Sequence, residues 1–253
     1  MPEIVISGLK KHFEDVRAVD GISVRIEDGE MFVVMGPTGC GKTTFLKLIA
    51  GLLDPDEGKI FFGGDLVNDL GPRERKVRMV FEDYALFPHL KVYEPQGYSN
   101  LSFPLKVNKI TTDKIKGVVR GIVDRLGISK LLFDRKPSEI SAGQKQQVAL
   151  GRALTLTPNV LLLDEPLRNL DPHTKLDSRR EVEDIHQELG ATTIYVTHDL
   201  AEAFAIADRV GIMTEGRFIQ VGTPKEILND PINDQVSDFT ESYQATIRDA
   251  FES

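Results

Sequence analysis

A phosphate-binding loop motif constrains this chain more than any other feature of its sequence. Residues 36–43 read Gly-Pro-Thr-Gly-Cys-Gly-Lys-Thr, which fits the pattern Gly-x-x-x-x-Gly-Lys-Ser/Thr. The motif follows an apolar run at residues 31–35 and precedes a helical pattern at residues 44–51. In that setting backbone N–H groups surround phosphate oxygens, Lys42 reaches the terminal phosphates and Thr43 supplies a hydroxyl to magnesium. A Gly/Pro-rich turn that only joins a strand to a helix is the alternative, but the constrained positions favour binding of a nucleoside triphosphate.

Composition is that of an ordinary soluble globular protein. The chain has 253 residues, of which 41% are hydrophobic and 28% charged, with a formal net charge of -8, and this length can bury a substantial core. The single cysteine, Cys40, excludes an internal disulfide, and residues 1–10 lack the pattern of a signal peptide, so we expect a cytoplasmic protein. No apolar run approaches the roughly 20 residues of a membrane helix. The acidic balance argues against nucleic acid as a partner.

Short β-type runs alternate with helical patterns. The predicted strands are Glu3–Ser7, Ser23–Ile26, Met31–Met35, Lys59–Phe62, Val77–Phe81, Asn159–Leu163 and Thr192–Val196. A charge-rich crossover helix is predicted at Thr174–Leu189, and a hairpin at Val210–Met213 and Phe218–Val221. Because strands alternate with helices, we predict an α/β fold with a mainly parallel sheet.

The middle of the chain has a mainly helical pattern, unlike the alternating strands and helices around it. Residues 106–156 are predominantly helical in pattern, with an amphipathic stripe over Asp113–Leu126 and a further helix at Ala142–Leu156. We interpret this region as a helical insertion in the α/β core. The predicted domains are an α/β core in two parts, 1–90 and 158–230, a helical subdomain at 91–157, and a mostly helical tail at 231–253.

Two adjacent carboxylates end the apolar run at residues 160–163. Neighbouring side chains on a strand point to opposite sides, so Asp164 and Glu165 can take different roles. Asp164 would hold magnesium, directly or through water, and Glu165 would polarise the water that attacks the γ-phosphate. An Asp-Glu-Pro sequence that merely ends a strand is the alternative, and the phosphate loop upstream favours the catalytic interpretation.

The order of further motifs resembles the ATP-binding cassette (ABC) family over nearly the whole chain. Ile140-Ser141-Ala142-Gly143-Gln144 resembles the family signature, Leu-Ser-Gly-Gly-Gln, and stands between the phosphate loop and the carboxylate pair. Leu170-Asp171 resembles the D-loop, and Thr197-His198 the switch histidine. Phe13 matches the aromatic position on which adenine stacks. The resemblance implies a P-loop NTPase core with a mainly parallel sheet, an antiparallel β portion near the N-terminus and an inserted helical subdomain.

The resemblance also implies a set of site residues. The implied catalytic residues are Glu165, His198 and Glu82, and the implied magnesium ligands are Thr43, Glu82 and Asp164. The implied ATP-binding residues are Phe13, Gly36, Pro37, Thr38, Gly39, Cys40, Gly41, Lys42, Thr43, Thr44, Ser141, Ala142, Gly143, Gln144 and Asp171. ATP and Mg²⁺ are the implied cofactors, bound between two cassettes in a homodimer or a heterodimer.

Residues 81–90 resemble the Q-loop region of importer ATPases that serve sugars, polyamines, iron or oxyanions. The resemblance implies docking on membrane-spanning subunits at the cytoplasmic face of the membrane, with a solute-binding protein as an indirect partner. Tyr84, Leu86 and Phe87 would suit a docking groove if exposed, but they could equally be core. Many sugar-type relatives continue into a β-rich domain for which this chain is too short, so oxyanion, polyamine or osmolyte import stays open.

Three positions depart from the family pattern. Glu82 replaces the Q-loop glutamine, which adds a charge, and we expect impaired or altered coupling. Ala142 replaces a glycine, and a left-handed backbone there would cost about 1 kcal/mol. Arg168 replaces a small polar residue, and the segment 94–100 is longer than the usual turn and could tune partner choice.

The sequence therefore predicts the ATP-hydrolysing subunit of an ABC importer. A catalytically weakened nucleotide-binding subunit and a soluble, non-transport ABC ATPase are the alternatives. A simple P-loop kinase is disfavoured, because it would not need Ser141 to Gln144.

Overall fold

The computed structural model describes residues 2–241, which form two compact units. The first unit comprises the residues up to Val77, Asn159–Glu165 and the residues from Gly190 onward. The second unit comprises Arg78–Pro158 and Pro166–Leu189.

The first unit is built on two sheets. Its strands are β1 (Ile4–Phe13), β2 (Val16–Ile26), β3 (Met31–Met35), β4 (Glu57–Phe62), β5 (Asp65–Leu66), β7 (Val160–Asp164), β8 (Thr192–Thr197), β9 (Arg209–Thr214) and β10 (Arg217–Gly222). Its helices are α1 (Lys42–Ala50), α6 (Leu200–Ile206) and α7 (Pro224–Asn229). The strand β6 (Val77–Val80) lies where the first unit passes into the second.

The larger sheet has the order β10-β9-β3-β8-β7-β6. Strands β7, β8, β3 and β9 pair in parallel, and β10 is antiparallel to β9. Every residue of β3, β7 and β8 is buried, as expected for the central strands of a parallel sheet. The phosphate loop begins directly after β3, and the carboxylate pair lies at the end of β7, so these motifs meet at the carboxyl edge of one sheet.

The smaller sheet is antiparallel, with the order β2-β1-β4-β5. Strand β1 pairs with β2 from Ile4↔Ile26 to Phe13↔Val16, with register shifts along the way. This places Phe13 at the hairpin end of β1.

The second unit is helical. Its helices are α2 (Phe103–Val107), α3 (Thr112–Arg125), α4 (Ala142–Leu154) and α5 (Pro172–Leu189), with short 3-10 turns at Lys130–Leu132 and Pro137–Glu139. Helix α3 buries Ile115, Val119, Ile122 and Val123, at the i, i+4, i+7 and i+8 spacing of one helix face.

These elements confirm the predicted fold class: a mainly parallel sheet, an antiparallel portion near the N-terminus and a helical portion. The predicted strand at 31–35 matches β3, whereas β1 and β2 continue well past their predicted bounds. Helices α2 and α6 were not predicted, because neither is long enough to establish a clear apolar period. In the tail, residues 231–233 are not helical, residues 234–241 are helical, and residues 242–253 lie outside the described residues. The domain boundaries stay a prediction.

No helix within residues 2–241 combines the length and the apolar character needed to cross a membrane.

Candidate nucleotide-binding site

Two glycines let the phosphate loop lie against neighbouring strands. Gly36 has φ 153° and Gly41 has φ 109°, backbone conformations that other residues rarely adopt. A Cβ on Gly36 would lie 2.0 Å from the carbonyl oxygen of Met213 in β9, and one on Gly41 would lie 1.9 Å from the carbonyl oxygen of Ala18 in β2. The loop is therefore clamped between β2 and β9, and only glycine fits at these two positions.

Lys42 is buried at the start of α1, with its ammonium folded back over the loop. Its Nζ donates to the carbonyl oxygen of Gly36 at 2.8 Å and to that of Pro37 at 3.0 Å. These bonds hold a positive charge among the backbone N–H groups at a helix N-terminus, an arrangement suited to phosphate.

Cys40 is a buried residue of the loop, and burial raises the pKa of its thiol. Its carbonyl oxygen accepts from the N–H of Gly216 at 3.0 Å, which ties the loop to the β9–β10 turn. Since a protonated, buried thiol is a poor nucleophile, Cys40 contributes to packing and loop position.

Thr43 and Asp164 come together across the carboxyl edge of the sheet. Thr43 Oγ1 donates to Asp164 Oδ1 at 3.1 Å, and Asp164 is buried at the end of β7. No group of three or more His, Cys, Asp or Glu side chains that could hold a metal occurs within residues 2–241. A hydroxyl beside one carboxylate fits Mg²⁺, which takes few protein ligands and completes its octahedron with water and phosphate oxygens.

Glu165 and His198 form the second pair at this edge. Glu165 Oε2 lies 2.8 Å from His198 Nδ1, and the Glu165 side chain is largely buried while that of His198 is half-exposed. Glu165 has φ 44° and lies just beyond β7, so strand alternation is the wrong reason for its separation from Asp164. The left-handed turn redirects the carboxylate toward His198, and strained backbone of this kind is found at functional sites.

Phe13 is 44% exposed at the end of β1. The Nζ of Lys11 lies 5.6 Å from its ring centroid. An aromatic ring this exposed can stack on a planar base.

The candidates Ser141, Ala142, Gly143, Gln144, Asp171 and Glu82 belong to the second unit, where the signature segment caps α4. Ser141 Oγ accepts from the N–H of Gln144 at 3.3 Å, and Gln144 Oε1 accepts from the N–H of Ser141 at 2.9 Å. Ala142 is the first helical residue and is absent from the residues with positive φ. The expected left-handed strain at Ala142 is therefore wrong, because alanine suits this helical position.

Asp171 precedes α5 and caps it. Its Oδ1 accepts from the N–H of Thr174 at 3.1 Å, and the hydrogen bonds from Thr174 hold the pKa of the Asp171 carboxyl below its ordinary value. A Cβ on Gly143 would lie 3.0 Å from Thr174 Cγ2, so the starts of α4 and α5 are neighbours.

Two of the departures from the family pattern contact each other. Arg168 Nη1 lies 2.8 Å from Glu82 Oε1, and Asn169 Nδ2 donates to the carbonyl oxygen of Glu82 at 3.2 Å. Sequence reasoning treated Glu82 and Arg168 separately, because 86 residues separate them and no local pattern links them.

Arg152 of α4 holds the segment after Glu82. It donates to the carbonyl oxygens of Tyr84 at 2.9 Å and Ala85 at 2.7 Å, and burial lowers its pKa. Tyr84 and Ala85 have φ 64° and 43°, which is strained for residues with side chains. Tyr84 is only 4% exposed, so of the two alternatives for this residue the buried one is correct, while Leu86 and Phe87 are half-buried.

The segment 94–100 ends at Asn100, whose buried side-chain amide forms several hydrogen bonds to the backbone. Asn100 accepts from the N–H of Phe87 at 2.8 Å and donates to the carbonyl oxygens of Phe87, Leu90 and Lys91 at 3.1–3.2 Å. Tyr98, in contrast, is 54% exposed and packs near Phe103. Sequence reasoning missed Asn100 and Arg152; a polar residue inside an otherwise apolar pattern was the available signal.

A family model described as ABC transporter matches residues 19–168. The trehalose/maltose import ATP-binding protein of Thermococcus litoralis is 44% identical over 246 residues, which cover 95% of this chain and 64% of that protein. The spermidine/putrescine import ATP-binding protein of Thermotoga maritima is 42% identical, covering 91% and 61%. A sulfate/thiosulfate import ATP-binding protein of Agrobacterium fabrum is 46% identical, covering 90% and 66%. The chain thus spans about two thirds or less of each of these relatives.

Solved structures show the same fold. A dimeric bacterial ABC transporter cassette superimposes with a TM-score of 0.78 at 26% identity, covering 87% of this chain and 98% of that one. A dimeric post-hydrolysis state of the same cassette, bound to ADP and Pi, gives a TM-score of 0.77.

Proposed function

The chain belongs to the ABC transporter family, and from that membership we propose that it is the ATP-binding and ATP-hydrolysing subunit of an importer. The observation that carries the proposal is the pairing of Thr43 with Asp164 and of Glu165 with His198 beside the phosphate loop. These groups can bind phosphate, hold a cation and activate water within one unit.

Each side chain has a distinct role in this proposal. Lys42 and the loop amides bind the β- and γ-phosphates, and Thr43 and Asp164 hold Mg²⁺, which neutralises phosphate charge when bound. Glu165 accepts a proton from the attacking water. His198 keeps Glu165 oriented, and Phe13 stacks on the adenine.

The second unit would complete the site of a partner cassette. Ser141, Ala142, Gly143 and Gln144 open α4, and the N–H groups and positive end of that helix suit a γ-phosphate presented by the partner. The dimeric cassettes among the structural relatives support this arrangement. ATP binding would then favour the closed dimer, and hydrolysis would release it.

The partners are proposed from the relatives' names, which all describe import. The subunit would act at the cytoplasmic face of the membrane, docked on membrane-spanning subunits, with a solute-binding protein as an indirect partner. In the second unit, Tyr98 and the half-buried Leu86 and Phe87 offer apolar surface for that docking. The relatives import sugars, polyamines and oxyanions at similar identity, so the solute is chosen by other subunits.

Sedimentation of the Glu165→Gln variant tests ATP-driven closure. With ATP and Mg²⁺ this variant should bind nucleotide without turnover and sediment as a dimer, because the γ-phosphate persists between the subunits. A Lys42→Ala, Glu165→Gln double variant is the control and should stay monomeric. A Glu165→Gln protein that is saturated with ATP yet monomeric would contradict the proposal.

A further inference from the structure

The turn that carries His198 is held by a buried hydrogen bond between the end of β8 and helix α6. Thr197 is the last residue of β8 and is 2% exposed, and Glu202 of α6 is 4% exposed. Thr197 Oγ1 donates to Glu202 Oε2. Because burial of a carboxyl group is costly unless the group is hydrogen-bonded, this contact fixes the position of the turn relative to α6.

We propose that Thr197 and Glu202 are positioning residues for His198. They hold its ring at the place from which it orients the carboxylate of Glu165. The inference rests on the proposed function, which gives Glu165 and His198 their roles, and it adds the residues that keep this pair in place. All of these residues belong to the first unit.

The hydrogen bonds around the turn form a closed loop. Thr197 Oγ1 accepts from the N–H of Asp199 at 3.1 Å, and Asp199 Oδ1 accepts from the N–H of Glu202 at 3.1 Å. With the bond from Thr197 to Glu202, these contacts tie the residue before His198 and the residue after it to each other and to the first turn of α6. The backbone of His198 is therefore restrained on both sides.

Burial of its own ring does not fix His198, because the side chain is half-exposed. Its Nδ1 lies 2.8 Å from Glu165 Oε2. Glu165 is tied to the same strand end, since its backbone N–H donates to the carbonyl oxygen of Val196 at 3.0 Å. Both members of the pair are thus anchored at the end of β8, so a shift of the turn at residues 197–199 would change their separation directly.

Thr197→Val tests the proposal, because it replaces the hydroxyl with a methyl group of similar size. Misplacement of a reacting group by about 1 Å can cost about 100-fold in rate. We therefore expect kcat for ATP to fall at least about tenfold, with KM changed by less than about twofold. Thr197→Ser keeps the hydroxyl and should keep most of the turnover.

Thr193→Val is the matched control, because it removes a buried hydroxyl from the other end of β8. Turnover is measured below the Tm of every variant, and this control should retain the wild-type kcat. A fall in kcat for Thr193→Val as large as that for Thr197→Val would overturn the inference.

A His198→Ala background separates positioning from general stability. In that background Thr197→Val should lower kcat further by less than about twofold, because the ring that it positions is gone. An equal fall in kcat with and without His198 would overturn the inference and leave the proposed function intact. Wild-type kcat in His198→Ala alone would instead overturn the role of His198 in the proposed function.

NMR spectra of the histidine rings supply a measurement that needs no turnover. The ring signal that is missing from His198→Ala identifies His198. That signal should shift in Thr197→Val and keep its position in Thr193→Val. An unshifted His198 signal in Thr197→Val would overturn the inference, whereas absence of ATP turnover by the wild type would overturn the proposed function itself.

Discussion

The two units of the chain differ in the contacts that hold their proposed site residues. In the first, four of the proposed site residues form two side-chain pairs, Thr43 with Asp164 and Glu165 with His198. In the second, the backbone carbonyls of Glu82, Tyr84 and Ala85 are held by Asn169 and Arg152, for which no chemical role is proposed. In the proposed function the water-activating and magnesium-binding side chains all lie in the first unit, whereas Asn169 and Arg152 restrain the backbone of the second.

The departures from the family pattern follow the same division. The phosphate loop and the carboxylate pair of the first unit carry the expected residue types, while Glu82, Ala142 and Arg168 all lie in the second unit. Two of these three, Glu82 and Arg168, form an ion pair with each other.

The largest expected effect is in the first unit, where Lys42→Ala removes the buried ammonium. We expect ATP turnover to fall by at least about 100-fold, with little loss of fold. Lys47→Ala, on the same helix and outside the phosphate motif, is the control and should retain turnover. Comparable losses for both variants would contradict a specific role of Lys42 in phosphate binding.

In the second unit, Arg152→Ala should act on stability. It leaves two carbonyl oxygens without their donor, at a cost of about 2–4 kcal/mol, which corresponds to a fall in Tm of about 4–16 °C. Calorimetry measures the shift, and Arg152→Lys should lose only part of the stability because one donor is kept. An unchanged Tm with reduced turnover would show that Arg152 acts on chemistry and not on position.

Glu181 gives the second unit a pH dependence. Burial raises the pKa of Glu181 to about 7 in the folded state from an ordinary 4.5, against the opposing influence of Arg125. The folded state therefore holds the Glu181 proton more tightly than the unfolded state does. The stability that this protonation contributes is fully present below pH 4.5 and is lost as pH rises through about 7.

The test is denaturant unfolding of Glu181→Gln at pH 5 and pH 8. The variant should be more stable than the wild type at pH 8 by about 1–2 kcal/mol, reduced from the full shift because the group is partly exposed. Glu183→Gln, two residues along the same helix and on a different face, serves as the control. Parallel pH profiles for wild type and Glu181→Gln would rule out this residue as the source.

Ala142→Gly should have the smallest effect. Because Ala142 is helical, restoring the family glycine lowers stability by about 0.5–1 kcal/mol. Turnover should stay within about twofold of the wild type, since no strain is relieved. A several-fold gain in turnover would show instead that the Ala142 methyl group obstructs the phosphate.

The sequence predicted the first unit better than the second, for a physical reason. The phosphate loop, β3 and the carboxylate pair are local patterns, in which spacing alone specifies geometry. Three other contacts join residues that are distant in sequence: the hydrogen bonds of Arg152, those of Asn100 and the Glu82–Arg168 ion pair. No sequence periodicity reveals such contacts. Tyr84 could not be assigned to core or surface, because its burial depends on a strained backbone that side-chain periodicity does not encode.

The most direct test of the account is Mg²⁺-dependent ATP turnover of the purified chain beside its Glu165→Gln variant, with ATP binding measured for both. We expect both to bind ATP with similar affinity, and the wild type to turn it over at least about 100-fold faster. Equal turnover by the two proteins, with binding intact, would contradict the assignment of Glu165 and with it the claim that the first unit performs the chemistry.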